Sequence, residues 1–206
     1  MWPWGHLAVG YFLYSPFARA RFGRPPTDRA TLWLAVGTQL PDLVDKPLAW
    51  RLGVLPAART LGHSLLTITV VSMLVYAYFE RRDCAHVALA FGVGYVTHPL
   101  VDGLFPLLNG QYQYAAYLLW PLSGLSGLPA YDIGSLAGIV LVEPLELLLG
   151  GAEPIDFDIT VSGLLEITVV VLAGRMWHHD GVPGVALFRD RLGLARESDS
   201  DPDPER

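Results

Sequence analysis

Four apolar stretches, running near 62–79, 86–108, 133–149 and 159–173, limit what this chain can become more than any other feature. A helix needs ~20 residues at ~1.5 Å each to cross ~30 Å of hydrocarbon. The first two stretches meet that length; the last two are marginal and read equally well as buried helices. Composition points the same way, because 52% hydrophobic against 17% charged residues in a chain of 206 is too apolar for an ordinary soluble domain. The surplus is expected to face lipid or a partner. The expected architecture is all-α: a polytopic membrane helical bundle with an N-terminal helical layer, one domain over 1–179, then a polar tail that loses order from about residue 196.

The segment 4–18 is apolar and aromatic throughout, with a proline near each flank and no cationic run ahead of it, so it does not read as a secretory signal. It reads as a helix at the membrane interface, where Trp2, Trp4, Tyr11 and Tyr14 sit well, or as an ordinary core helix. Arg24, Pro25, Pro26, Thr27 and Asp28 mark a loop and the start of a second helix. The stretch 109–131, rich in Gly, Pro, Ser and aromatics around Trp120 and Pro121, is expected to be irregular. A net charge of −6 argues against nucleic acid as a partner. The single cysteine, Cys84, allows neither an internal disulfide nor a cysteine-rich zinc site, which leaves His and carboxylate ligands for any metal.

Chemistry-bearing residues cluster in three short motifs. In Gly94-Tyr95-Val96-Thr97-His98-Pro99-Leu100-Val101-Asp102, a histidine and an aspartate lie four apart on one helix face, close enough to chelate one ion. An ionised aspartate inside a membrane helix costs at least ~2.5 kcal/mol unless paired, which marks Asp102 as functional by default. A plain hydrogen bond between the two side chains is the structural alternative. Pro99 removes a backbone donor and can kink the helix beside His98. The second motif, Leu40-Pro41-Asp42-Leu43-Val44-Asp45, puts two carboxylates three apart after an apolar helix, to face an ion or to cap the next helix. The third, Arg59-Thr60-Leu61-Gly62-His63-Ser64, sets a histidine at the mouth of the first long apolar helix, as a ligand or as an interfacial hydrogen-bonding residue.

Depth along the helices ties these motifs together. The polar turn Arg81-Arg82-Asp83 joins the two long apolar segments. In an antiparallel hairpin, residues whose numbers sum to about 165 then stand at equal height. His63 is thereby placed opposite Asp102, with His98 one turn, ~5.4 Å, away. His6 joins the cluster if the N-terminal helix folds over that end. His86, His178 and His179 lie elsewhere by the same reckoning. Glu143, Glu146 and Glu166 sit in apolar stretches as further ligand or base candidates, Glu166 being preferred. No GxSxG or Walker A motif occurs, so neither a serine nucleophile nor a P-loop is supported.

The ordered set of His6, Pro41-Asp42 with Asp45, His63-Ser64, Gly94-Tyr95 through His98 and Asp102, then Trp120-Pro121, resembles the YdjM-type family of membrane-associated, metal-dependent hydrolases. The family is distantly similar in its ligand pattern to the zinc-dependent phospholipase C and P1 nuclease group. The resemblance implies that His6, Asp42, His63, His98 and Asp102 are metal ligands, with Asp45 as an added ligand or catalytic base. It also implies a divalent cofactor, zinc by the nature of the ligands, and a hydrolysed ester, either a membrane lipid or a small molecule. Phosphoesters suit carboxylate-bridged metal sites, with metal-activated water as the nucleophile. Two other classes compete: a non-catalytic membrane protein with structural His–Asp hydrogen bonds, and a protein that binds or transports a divalent metal. Arg81, Arg82 and Arg175 place their ends of the helices on the cytoplasmic side and the cluster towards the outer face.

Overall fold

In the computed structural model of the chain, residues 2–123 and 157–187 are described. The described residues are helical, with no strand among them. Helix α1 spans Pro3–Phe22 and α2 spans Asp28–Lys46, running on into a short π-helical turn, Pro47–Arg51. Helix α3 covers Leu65–Glu80 and α4 covers Ala85–Leu108. A 3-10 helix, Tyr112–Leu119, and helix α5, Phe157–His179, complete the set.

Local chemistry explains the helix ends. Thr27 caps α2 by accepting from the Ala30 amide, and Ser64 caps α3 by accepting from the Leu66 amide. Gly23 closes α1 in the left-handed region, at φ 67°, where glycine pays no Cβ penalty. The α3–α4 connection is the expected tight turn, with Asp83 at positive φ. Several boundaries differ from the sequence reading. The first long apolar helix starts at Leu65 rather than 62, because Ser64 caps it, and its 16 residues reach only about 24 Å. Pro41 lies inside α2, so Asp42 and Asp45 ride on the last turns of that helix rather than following it. Helix α4 stays helical through both Pro99 and Pro106. Among the described residues only Ala85–Leu104 of α4 is long and apolar enough to cross a membrane. The stretch 133–149, with Glu143 and Glu146, lies outside the described residues.

The core is the packing of α2 on α4, with α1 laid across both. Tyr11, Tyr14, Ala18, Ala30, Leu34 and Ala90 form one buried cluster; Ile68, Phe91 and Tyr95 form a second against α3. Two glycines permit the close approach. A Cβ on Gly37 would strike the backbone carbonyl of Phe91, and one on Gly94 would strike that of Leu34. Backbone thus lies against backbone, which holds the carboxylates of α2 beside the His–Asp pair of α4.

At the opposite end, the first residues after α5 are fastened to the bundle. The Asp180 carboxylate accepts from Tyr11 Oη at 2.7 Å and Ser15 Oγ at 2.5 Å, and pairs with Arg19. The Gly184 amide donates to Asp28 at 2.5 Å. The sequence reading had the polar tail begin at residue 180, yet Asp180 is closed off from solvent. Burial works to raise its pKa, but the bonds from Ser15, Tyr11 and Arg19 outweigh it and hold the carboxyl below its usual range. A depressed folded pKa contributes stability in full above the unfolded value of ~3.9, and that contribution is lost as pH falls through ~3.9 towards the folded value. Asp180→Asn is expected to destabilise the fold by about 1.5–3 kcal/mol near neutral pH. Thermal melts across pH 3–7 check this, the variant losing less stability on acidification than the parent.

Candidate metal centre

Three elements and one loop bring the site together. The N-terminal turns of α1 supply His6, the last turns of α2 supply Asp42 and Asp45, and α4 supplies His98 and Asp102. His63 comes from the loop just ahead of the Ser64 cap. Their polar atoms converge. His63 Nε2 lies 3.6 Å from Asp42 Oδ1 and 3.9 Å from Asp102 Oδ2. His98 Nε2 lies 3.7 Å and 3.9 Å from the same two oxygens. His6 stacks on His98 with ring centroids 3.8 Å apart, and its Nε2 reaches Asp102 Oδ1 at 3.2 Å. His63 and Asp102 therefore stand opposite each other, as the hairpin register requires.

Each key imidazole is oriented by a partner behind it. His98 Nδ1 donates to the Thr38 carbonyl at 2.6 Å, an arrangement that puts the proton on Nδ1 and the lone pair on Nε2. His63 Nδ1 does the same to Asp45 Oδ2 at 2.8 Å. Asp45 is fully buried, and its oxygens also accept from the backbone amides of Thr60 and Gly62, both at 2.7 Å, and of His63 at 3.3 Å. It therefore organises the 52–63 loop and aims His63, rather than facing the cluster as a free base. A histidine backed by a carboxylate in this way is a recurrent support for metal ligands.

The fit to a divalent cation can be judged from the imidazole nitrogens. Nε2 of His63 and of His98 is buried and finds no hydrogen-bond partner among the described residues. Leaving such an atom unpaired costs about 1–3 kcal/mol, so the arrangement suits an ion that accepts both lone pairs. Donor atoms around a tetrahedral zinc, at bonds of ~2.0–2.1 Å, lie about 3.3 Å from each other. The separations of 3.6–3.9 Å exceed that by a few tenths, and two trios, His6–His98–Asp102 and Asp42–His63–His98, each gather ligand atoms within 4.8 Å.

Access is one-sided. His6, His63, His98 and Asp102 are buried, whereas Asp42 keeps 19% of its side chain exposed. Tyr117 of the 3-10 helix closes another side: its ring meets His63 edge-on at 5.7 Å and its hydroxyl donates to the Pro99 carbonyl at 2.8 Å. Burial pushes the Tyr117 phenol pKa upward, so it stays a neutral donor. Ser64 Oγ donates to the Trp120 carbonyl at 2.5 Å, fixing the loop that carries Tyr117 over the cluster. Two cations border the open side. Lys46 Nζ holds Asp42 Oδ2 at 2.7 Å, and Arg59 Nη2 holds Asp102 Oδ2 at 3.0 Å. Burial acts to raise the Asp42 pKa, but the charges facing it, with the Lys46 ammonium hydrogen-bonded to Oδ2 among them, outweigh it and keep the carboxyl below its usual range.

Sequence reasoning did not single out Tyr117, Lys46 or Arg59. Lys46 was signalled by its i,i+4 spacing from Asp42, and Arg59 by its place in the His63 motif. Glu166 does not join the cluster; its carboxylate accepts from the Trp2 amide at 2.9 Å and so caps the start of α1. His86 stays at the arginine end, with its ring against Phe22, and His179 is exposed beside Arg19.

Among protein-family models, the one described as "YdjM inner membrane protein" matches residues 1–179, a range that includes every residue of the cluster. No curated protein and no solved structure matches the chain.

Proposed function

The chain belongs to the YdjM inner membrane protein family, and from that premise we propose that it is a multi-pass, metal-dependent hydrolase whose ligands are His6, Asp42, His63, His98 and Asp102. The observation that carries this reading is the pair of unpartnered, buried Nε2 atoms of His63 and His98, aimed at the same two carboxylates. Histidines that merely bridged helices would have both ring nitrogens satisfied. In this reading the α3–α4 hairpin enters the membrane, α4 as the full span and the shorter α3 beside it. Val70, Met73 and Leu74 of α3 are exposed, as lipid-facing residues would be, and α4 is the candidate span.

A zinc ion bound there would supply Lewis acidity, enough to acidify water towards ~7 and polarise an ester oxygen. The chain's own residues do the rest. Thr38 and Asp45 lock the tautomers of His98 and His63, so no reorientation is needed for either nitrogen to bind. Asp42, the most open of the carboxylates, turns Oδ1 towards the two bare Nε2 atoms while Lys46 holds its Oδ2, so its orientation too is set in advance. Asp45, with its oxygens engaged, is a positioning residue. The buried wall formed by Tyr117, His6 and His98 leaves Asp42 as the side from which an ester approaches.

Elemental analysis of the full chain purified in detergent, paired with hydrolysis assays on chromogenic carboxylic and phosphoric esters, tests the proposal. Stoichiometric zinc and a hydrolytic activity abolished by chelator are expected. Protein that carries no metal, or activity indifferent to chelation, overturns it.

A further inference from the structure

We infer that Arg59 and Lys46 form an anion clamp at the open side of the cluster and that the group it receives is a phosphoryl group; this rests on the metal-dependent reading above. The two cations could be taken simply as counter-ions for the carboxylates they touch. Charge makes that account insufficient. Once the cation draws on Asp42 and Asp102, Lys46 and Arg59 face a positive centre with their own partners already engaged. An anion with several oxygens can accept from both side chains at once, whereas a neutral carboxylic ester or amide brings no charge to answer them.

Geometry agrees. Arg59 spends one nitrogen on Asp102 while its guanidinium rests over the Tyr117 ring, 5.9 Å from the centroid, and 47% of the side chain remains exposed. The planar fork has five donors, so most of it stays available to oxygens arriving from outside. Lys46 is 35% exposed and borders the other carboxylate, which makes the two cations flank the approach rather than sit behind it. Exposed leucines adjoin the ligands along the chain, Leu43 beside Asp42, Leu104 just past Asp102 and Leu66 just past His63. The phosphoryl group can be carried by a lipid or by a soluble ester.

Calorimetric titration of inorganic phosphate into zinc-loaded, detergent-purified full chain provides the test, with metal content measured on every sample. Arg59→Gln and Lys46→Gln are each expected to weaken phosphate binding at least tenfold while zinc stoichiometry is kept. If Arg59→Gln loses zinc through Asp102, Lys46→Gln carries the comparison alone. Mixed micelles containing phosphatidate and, separately, soluble phenyl phosphate then compete for the site. Stronger displacement by the micelles assigns a lipid source, and equal displacement a soluble one, both upholding the clamp. Zinc-loaded parent protein that fails to bind phosphate, or variants that bind it as tightly as the parent, overturn the clamp and leave the hydrolase reading standing. A parent that binds no zinc removes that reading itself.

Discussion

With alanine at His98, the purified chain is expected to bind a divalent cation at least ~10²-fold more weakly than the parent, more than loss of a supporting residue costs. His98 belongs to both ligand trios, so its removal breaks each of them. The exchange also leaves a hollow beside the His6 ring and removes the bond to the Thr38 carbonyl, so some loss of stability accompanies it. Metal analysis combined with circular dichroism separates the two effects: helicity is expected to persist while the metal is lost. Alanine at His86, at the far end of the same helix, serves as the control and should leave metal content unchanged. Full metal content in the His98 variant would remove the basis for the site.

Asp45→Asn is expected to cost both stability and affinity. The carboxylate accepts from three backbone amides and from His63 Nδ1. An amide of the same shape must turn a donor towards at least one of those donors, in a fully buried place. Hydrogen bonds to a charged acceptor are worth about 1.5–3 kcal/mol each, so loss of at least ~1.5 kcal/mol is expected, read as a lower midpoint in chemical denaturation. His63 also loses the partner that fixes its tautomer, which is expected to lower metal affinity by ~10–100-fold. A variant with unchanged affinity but reduced stability would show that Asp45 holds only the loop.

How much of this was readable beforehand depended on periodicity. The His98–Asp102 pair lies on one face because helical spacing dictates it, and its meeting with His63 followed from counting outward from the Arg81-Arg82-Asp83 turn. Both rest on regular geometry. The role of Asp45 was not readable in that way. Whether a carboxylate faces an ion or a set of backbone amides depends on the course of residues 52–63, which have no repeating pattern. Arg59 and Tyr117 were missed for the same reason, since each reaches the cluster from irregular or 3-10 backbone. Glu166 misled because an acidic residue in an apolar helix has two good uses, binding a cation or closing another helix's N-terminus, and spacing does not separate them. Of the apolar runs, α4 is long enough to span, whereas α3 is shorter than its run suggested because Ser64 caps the helix three residues in.

The contact of main chains at Gly37 and Gly94 has a consequence for ion choice. Side chains packed between two helices can yield, but touching backbones act as a fixed ruler, so Asp42 on one helix and His98 on the other cannot readily spread. A cage of fixed spacing that offers imidazole nitrogens beside two carboxylates suits zinc better than calcium, whose shell takes six to eight oxygen donors. The spacing of those donors is thus set a full turn away from any of them, by two residues with no side chain at all.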